Sequence, residues 1–143
     1  MNQAPDYDPR YLTGILLFNR GDFFEAHEAW EDLWAEAYGA ERRFFQGLIQ
    51  AAVGLCHFAN GNLRGAVKLY HSSRAYMEGC PSPFLGLDTA AFWTAMECCF
   101  AGVLGDDAHQ RSVAIQEELV PTITLDPPPA AWPNLEAVAS DGD

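Results

Sequence analysis

Apolar residues recur at spacings of three and four from Leu12 to Val103. Short stretches centred on glycine break the rhythm at Asn19-Arg20-Gly21, Gly39, Asn60-Gly61-Asn62, Gly79-Cys80-Pro81-Ser82-Pro83 and Gly105-Asp106-Asp107. A chain punctuated in this way buries its apolar residues by packing one helical stripe on another. The pattern gives helices over about 8–19, 22–38, 41–59, 63–78 and 89–103, and a sixth that Asp107 opens and Pro121 ends. Asp8-Pro9, Asp22 with Glu25, Asp88, and Asp107 with Gln110 carry the N-cap chemistry. Gly39 is expected to close the second helix in a left-handed cap. The fold expected is all-α: a bundle of about six helices in antiparallel hairpins over residues 1–120, followed by a Pro-rich acidic tail over 121–143. Within that tail Ile123, Leu125 and Trp132 are candidates to strap across the body.

Each helix has a clear apolar stripe. Phe23, Ala26, Trp30, Leu33, Trp34 and Ala37 share one side of the second. Phe44, Phe45, Leu48, Ala51, Ala52, Leu55 and Ala59 line the third, where Gly47 and Gly54 allow another helix to approach closely. The other side of the third helix carries Arg43, Gln46, Gln50, Val53 and His57. Gly21-Asp22-Phe23-Phe24-Glu25-Ala26 also aligns with Gly61-Asn62-Leu63-Arg64-Gly65-Ala66, a helix start forty residues on. This weak repeat fits tetratricopeptide-type pairing, and equally the turn chemistry that any helical hairpin needs.

Charge excludes several function classes. The net charge is −12 with only eight basic residues, so no basic stripe exists for nucleic acid and no polybasic segment for a membrane surface. The start of the chain lacks a signal-peptide pattern, and its apolar runs are too short to span a bilayer. Cys56, Cys80, Cys98 and Cys99 form neither a zinc-ligand spacing nor a disulfide framework, so buried reduced thiols in a cytoplasmic protein are expected. A second copy of the chain or another protein remains as a partner class.

The chemistry-bearing residues cluster on the second helix. His27 and Glu31 are four apart and stack on one face, where an imidazole and a carboxylate can share a divalent metal ion. Glu28 lies about 100° round the helix. If the second and third helices pair about Gly39, His57 and Gln50 approach from the third. The candidate site is therefore His27, Glu31 and His57, with Glu28 and Gln50 as further ligands or orienting partners, holding one divalent ion or a small polar ligand. His-Glu-x-x-Glu has the outline of a zincin helix with its second histidine replaced, and a metal-dependent hydrolase with Glu28 as general base is one alternative. The other is an interaction module in which His27 is half-buried glue, bonded to Glu31 or to a glutamine across the hairpin.

Three blocks in order resemble the DUF309 family: Phe18-Asn19-x-Gly21-Asp22-Phe23-Phe24-Glu25-Ala26-His27-Glu28-x-Trp30-Glu31-x-x-Trp34, then Phe45-Gln46-Gly47-Leu48-Ile49-Gln50-x-Ala52 with His57, then Gly61-Asn62-x-x-Gly65-Ala66. The resemblance covers roughly 10–78, and Gly86-Leu87-Asp88 fits the family's loop before a later helix. It implies a small all-helical protein of unknown function, with no activity to carry over. It also implies that Glu25, His27, Glu28, Glu31, Gln46, Gln50 and His57 form one polar cluster. The Pro-rich tail has no match in the family pattern.

Overall fold

The structure is a computed structural model that describes residues 6–105 and 113–136. Among these residues there are five α-helices and no strand. They are α1 (Pro9–Asn19), α2 (Phe23–Glu36), α3 (Gly39–Ala59), α4 (Leu63–Met77) and α5 (Thr89–Phe100), and Ala101–Val103 extends α5 by one 3-10 turn. Asp8 accepts from the Arg10 N–H ahead of Pro9, Asn62 from Gly65 and Asp88 from Ala91, so three helix starts use the side chains that their sequences offer. Asp22 behaves differently. Its side chain caps nothing, and its carboxylate lies 3.4 Å from Arg20 Nε. Gly39 also departs from expectation. It has φ +65° but opens α3; α2 already ends at Glu36, with Ala37 extended.

Packing follows the order of the chain. α3 lies on α4, α2 on α3 and α1 on α2. Along α1 and α2 the contacts run in opposite senses. The Phe18 ring meets Phe23 at 5.3 Å, Gly14 faces Trp30, and Arg10 reaches Glu36 at 2.8 Å. Along α3 and α4, Gly47 lies against Met77 and Ser73, and Gly54 against Leu69 and Ala66. The close approach expected at Gly47 and Gly54 is therefore present. The core runs through the whole body, with Trp30, Phe44, Leu48, Leu55, Ala66, Met96 and Phe100 fully buried. Ala59, expected on the core stripe of α3, is exposed at the end of the helix.

The sixth helix is the main difference. Its expected start at Asp107 and Gln110 lies outside the described residues. Residues 113–116 are not helical, and Glu117–Leu119 is a single 3-10 turn. Val113 and Ile115 are half-buried while Ala114 and Gln116 are exposed, and Pro121, Ile123 and Leu125 are buried while Thr122 and Thr124 are exposed. This alternation is the period-two signature of extended chain. Residues 121–125 strap across the body, and Asn19 holds them through both backbone groups of one residue. Its Nδ2 donates to the Ile123 carbonyl at 2.9 Å, and its Oδ1 accepts from the Ile123 N–H at 2.7 Å. The Asp126 N–H donates to Gly86 O and the Tyr7 hydroxyl to Pro127 O. Trp132 stays 41 % exposed and takes no part in this core. All four cysteines are free thiols. Cys99 alone is buried, where desolvation pushes its thiol up to about 11, and Cys98 is exposed.

Candidate functional site

α2 presents His27, Glu31 and Trp34 on the edge beside its buried stripe of Phe23, Ala26, Trp30 and Leu33. The His27 side chain is only 14 % exposed. Its ring meets Phe24 edge to face, and its Nδ1 contacts the Phe24 carbonyl. A carbonyl oxygen only accepts, so Nδ1 carries the hydrogen and the Nε2 lone pair of the neutral ring is turned outward. Nε2 lies 3.4 Å from Glu31 Oε1, whose side chain is 57 % exposed. Glu28 is exposed on the adjacent face and makes no hydrogen bond or ion pair with either residue.

His57 has a different task. It sits in the last turn of α3, and the Asn62 side-chain N–H donates to its Nδ1 at 3.2 Å. The Asn62 Oδ1 meanwhile accepts from Gly65. The lone pair on Nδ1 is thus spent on the α3–α4 turn, and Nε2 is the protonated nitrogen of the neutral ring. Gln50 lies half-buried on α3, and its Oε1 is buried with no hydrogen-bond partner among the described residues. Among the described residues no group of three or more His, Cys, Asp or Glu is placed to hold a metal ion. The structure therefore gives direct contact within the candidate set only to His27 and Glu31.

Two further clusters were not singled out from the sequence. At the start of α1, Arg10 is gripped by Asp8 at 3.0 Å and by Glu36 at 2.8 Å, beside a cavity of about 310 Å³ that Tyr11, Leu33, Glu41 and Leu85 help to line. The Arg10 hydrogen bond holds the Asp8 and Glu36 carboxyls below their usual range, and both carboxylates raise Arg10. Burial pushes the Tyr11 phenol well up, and its hydroxyl donates to Leu85 O at 3.0 Å. The second cluster lies where α2 and α4 flank the start of α3. Trp34, Gly39, Arg42, Arg43, Gln46 and Tyr76 line a cavity of about 410 Å³. The Arg42 guanidinium lies 4.1 Å over the Trp34 ring, and that of Arg43 lies 5.6 Å from the Tyr76 ring. A pair of adjacent arginines in a chain with so few basic residues was the available sequence signal.

Residues 11–69 match the family described as "Domain of unknown function (DUF309)", in agreement with the resemblance carried by the three motif blocks. An uncharacterised protein of Aquifex aeolicus (strain VF5) is 33 % identical over 72 residues, which is 50 % of this chain and 22 % of that protein. The uncharacterised protein YpuF of Bacillus subtilis (strain 168) is 36 % identical over 69 residues, 47 % of this chain and 40 % of that protein. The match thus spans less than half the length of either relative. The crystal structure of a conserved hypothetical protein from Thermus thermophilus is similar with a TM-score of 0.56 and 29 % identity, covering 67 % of this chain and 96 % of that one. None of these names an activity. Among the described residues no helix is long and apolar enough to cross a membrane.

Proposed function

We propose, from the premise that residues 11–69 match the DUF309 family, that the chain is a small binding protein in which the edge of α2 holds a divalent cation between His27 and Glu31. The supporting observation is the 3.4 Å separation of His27 Nε2 and Glu31 Oε1. That distance is long for a direct hydrogen bond. It is the spacing of two ligands that each lie about 2.1 Å from one tetrahedral ion, roughly 3.4 Å apart. The Phe24 carbonyl on Nδ1 supplies the second-atom anchor that ligating histidines ordinarily have. With two protein ligands, water or the oxygens of a small polar ligand complete the coordination. His57 belongs to the α3–α4 turn in this reading. Glu28 stands apart, and no reaction is assigned to it. We read the opposed contacts along α1–α2 and α3–α4 as helical hairpins of tetratricopeptide-like layout, which present the α2 edge to solvent.

Calorimetric titration of the full chain with Zn²⁺ and with Mn²⁺, beside His27→Ala and Glu31→Gln, tests the assignment. Saturable binding by the wild type, weakened at least roughly tenfold in each variant, is expected. A wild type that binds neither ion saturably, or variants that bind as it does, rejects the reading.

A further inference from the structure

We infer that the cavity between α2, α3 and α4 is a binding site for a small organic oxyanion, a phosphate or a carboxylate, recognised by Arg42 and Arg43. The inference shares no residue with the His27–Glu31 assignment and does not depend on it. Trp34 lies seven positions beyond His27, which is roughly 10 Å along α2.

The cavity has the parts that oxyanion recognition needs. Arginine binds carboxylate and phosphate through the N–H groups at the edge of its planar fork, while the face of the fork stacks on aromatic rings. The Arg42 guanidinium lies over the Trp34 ring at 4.1 Å, and that of Arg43 lies 5.6 Å from the Tyr76 ring. Stacking of this kind leaves the donor edges available and restrains the side chains before a ligand arrives. Gln46, half-buried between the two walls, adds an amide that can donate to the same oxygens.

The charge pattern points to the same ligand class. Among the described residues neither Arg42 nor Arg43 makes an ion pair, although the chain has twenty acidic residues and only eight basic ones. Arg10 shows what this chain does with a structural arginine: it surrounds it with Asp8 and Glu36. Arg74 likewise has the Tyr70 hydroxyl at 2.8 Å and Glu97 at 3.7 Å. Arg42 and Arg43 line one cavity, each near an aromatic ring and, among the described residues, with no carboxylate within 4.0 Å. Two arginines gathered in this way on an acidic protein favour a ligand that brings the negative charge itself. The aromatic walls suit an anion attached to a flat or apolar body.

The probes are phenyl phosphate, benzoate and inorganic phosphate, titrated calorimetrically into the full chain at one fixed ionic strength. The proteins are wild type, Arg42→Gln, Arg43→Gln, Arg42→Lys and Arg64→Gln, the last removing an equal charge elsewhere on the surface. Circular dichroism melts establish that each variant is folded. The expected result is saturable binding of phenyl phosphate or benzoate by the wild type. Affinity should fall at least roughly tenfold in Arg42→Gln and in Arg43→Gln, fall measurably in Arg42→Lys, which keeps the charge but loses the fork, and stay unchanged in Arg64→Gln. Comparison of the two organic probes identifies the phosphate or the carboxylate as the source, and inorganic phosphate separates the contribution of the anion from that of its body. Absence of saturable binding by the wild type, or an equal loss in Arg64→Gln, overturns the inference. His27→Ala is expected to bind the anion as the wild type does, so failure of the metal assignment leaves this result readable.

Discussion

Gly14 on α1 faces the Trp30 indole on α2. A Cβ at this position would stand 2.0 Å from Trp30 Nε1, and Trp30 is fully buried with its indole N–H on the Tyr11 carbonyl at 3.1 Å. A rigid ring fixed by a hydrogen bond has no direction in which to yield. Gly14→Ala is therefore expected to destabilise the fold by about 3 kcal/mol, from overpacking and the displaced hydrogen bond together. Gly47 makes a useful contrast, because its Cβ would meet Met77 Cγ at 2.2 Å. Met77 is buried but can change rotamer, the Ser73 carbonyl at 3.2 Å cannot move, and alanine regains helix propensity, so Gly47→Ala should cost about 1–2 kcal/mol, less than Gly14→Ala. Urea unfolding of the two variants side by side measures the difference; equal losses would show that the indole is not the rigid partner. Gly47 was legible in the sequence as a point of close approach and Gly14 was not. The need for glycine at 14 arises from a side chain on another helix, and no local pattern carries that information. The two histidines teach the same lesson. Their positions could be read in advance, but the nitrogen each one spends depends on Phe24 in one case and Asn62 in the other.

Helices were legible as elements because each has a complete apolar stripe and, in three cases, a cap that works as its residue type dictates. The strap was legible in part: Ile123 and Leu125 stood out as residues to lie across the body and both are buried, whereas Trp132 is not, and the period-two alternation at 113–116 and 121–125 was missed. Asp107, Gln110 and Pro121 suggested a helix start and stop, but within the described part of that span residues 113–116 are extended and 117–119 form one 3-10 turn. Between 121 and 125 the polar anchor of the strap is a single side chain on α1. Asn19 offers one donor and one acceptor to the Ile123 backbone, as a neighbouring strand would. Asn19→Ala strands both of these backbone groups and is expected to cost about 1–3 kcal/mol. Hydrogen exchange at the Ile123 amide should speed up markedly in this variant while the amides of α3 remain protected. Unchanged exchange at Ile123 would mean that burial of Ile123 and Leu125 holds the strap without Asn19.

For the whole molecule, an excess of acidic groups makes pH a structural variable. Asp8 has the clearest direction. The hydrogen bond from Arg10 is the largest cause of its lowered value, and only a minor part of the group is buried. A carboxyl depressed in the folded state stabilises that state fully above its ordinary value of 3.8 and loses the contribution as pH falls through the lower folded value. Asp8→Asn keeps the cap and removes the charge. The stability gap between wild type and this variant should be at most about 1 kcal/mol near neutrality, narrow as salt rises, and close as the solution is acidified below pH 3.8. Denaturant titrations at several pH values decide it, and a gap that persists in acid would assign the effect to packing. The tryptophans have a consequence on this same scale. Trp30 is 0 % and Trp93 7 % exposed, Trp132 is 41 % exposed, and Trp34 lies under the Arg42 guanidinium. Four indoles at different depths, one of them sharing its π-face with a cation, give the chain a built-in optical gauge. A molecule that enters the cavity changes the surroundings of Trp34, which lines it beneath Arg42, and hence the light that indole emits, so occupancy can be followed by fluorescence without a label.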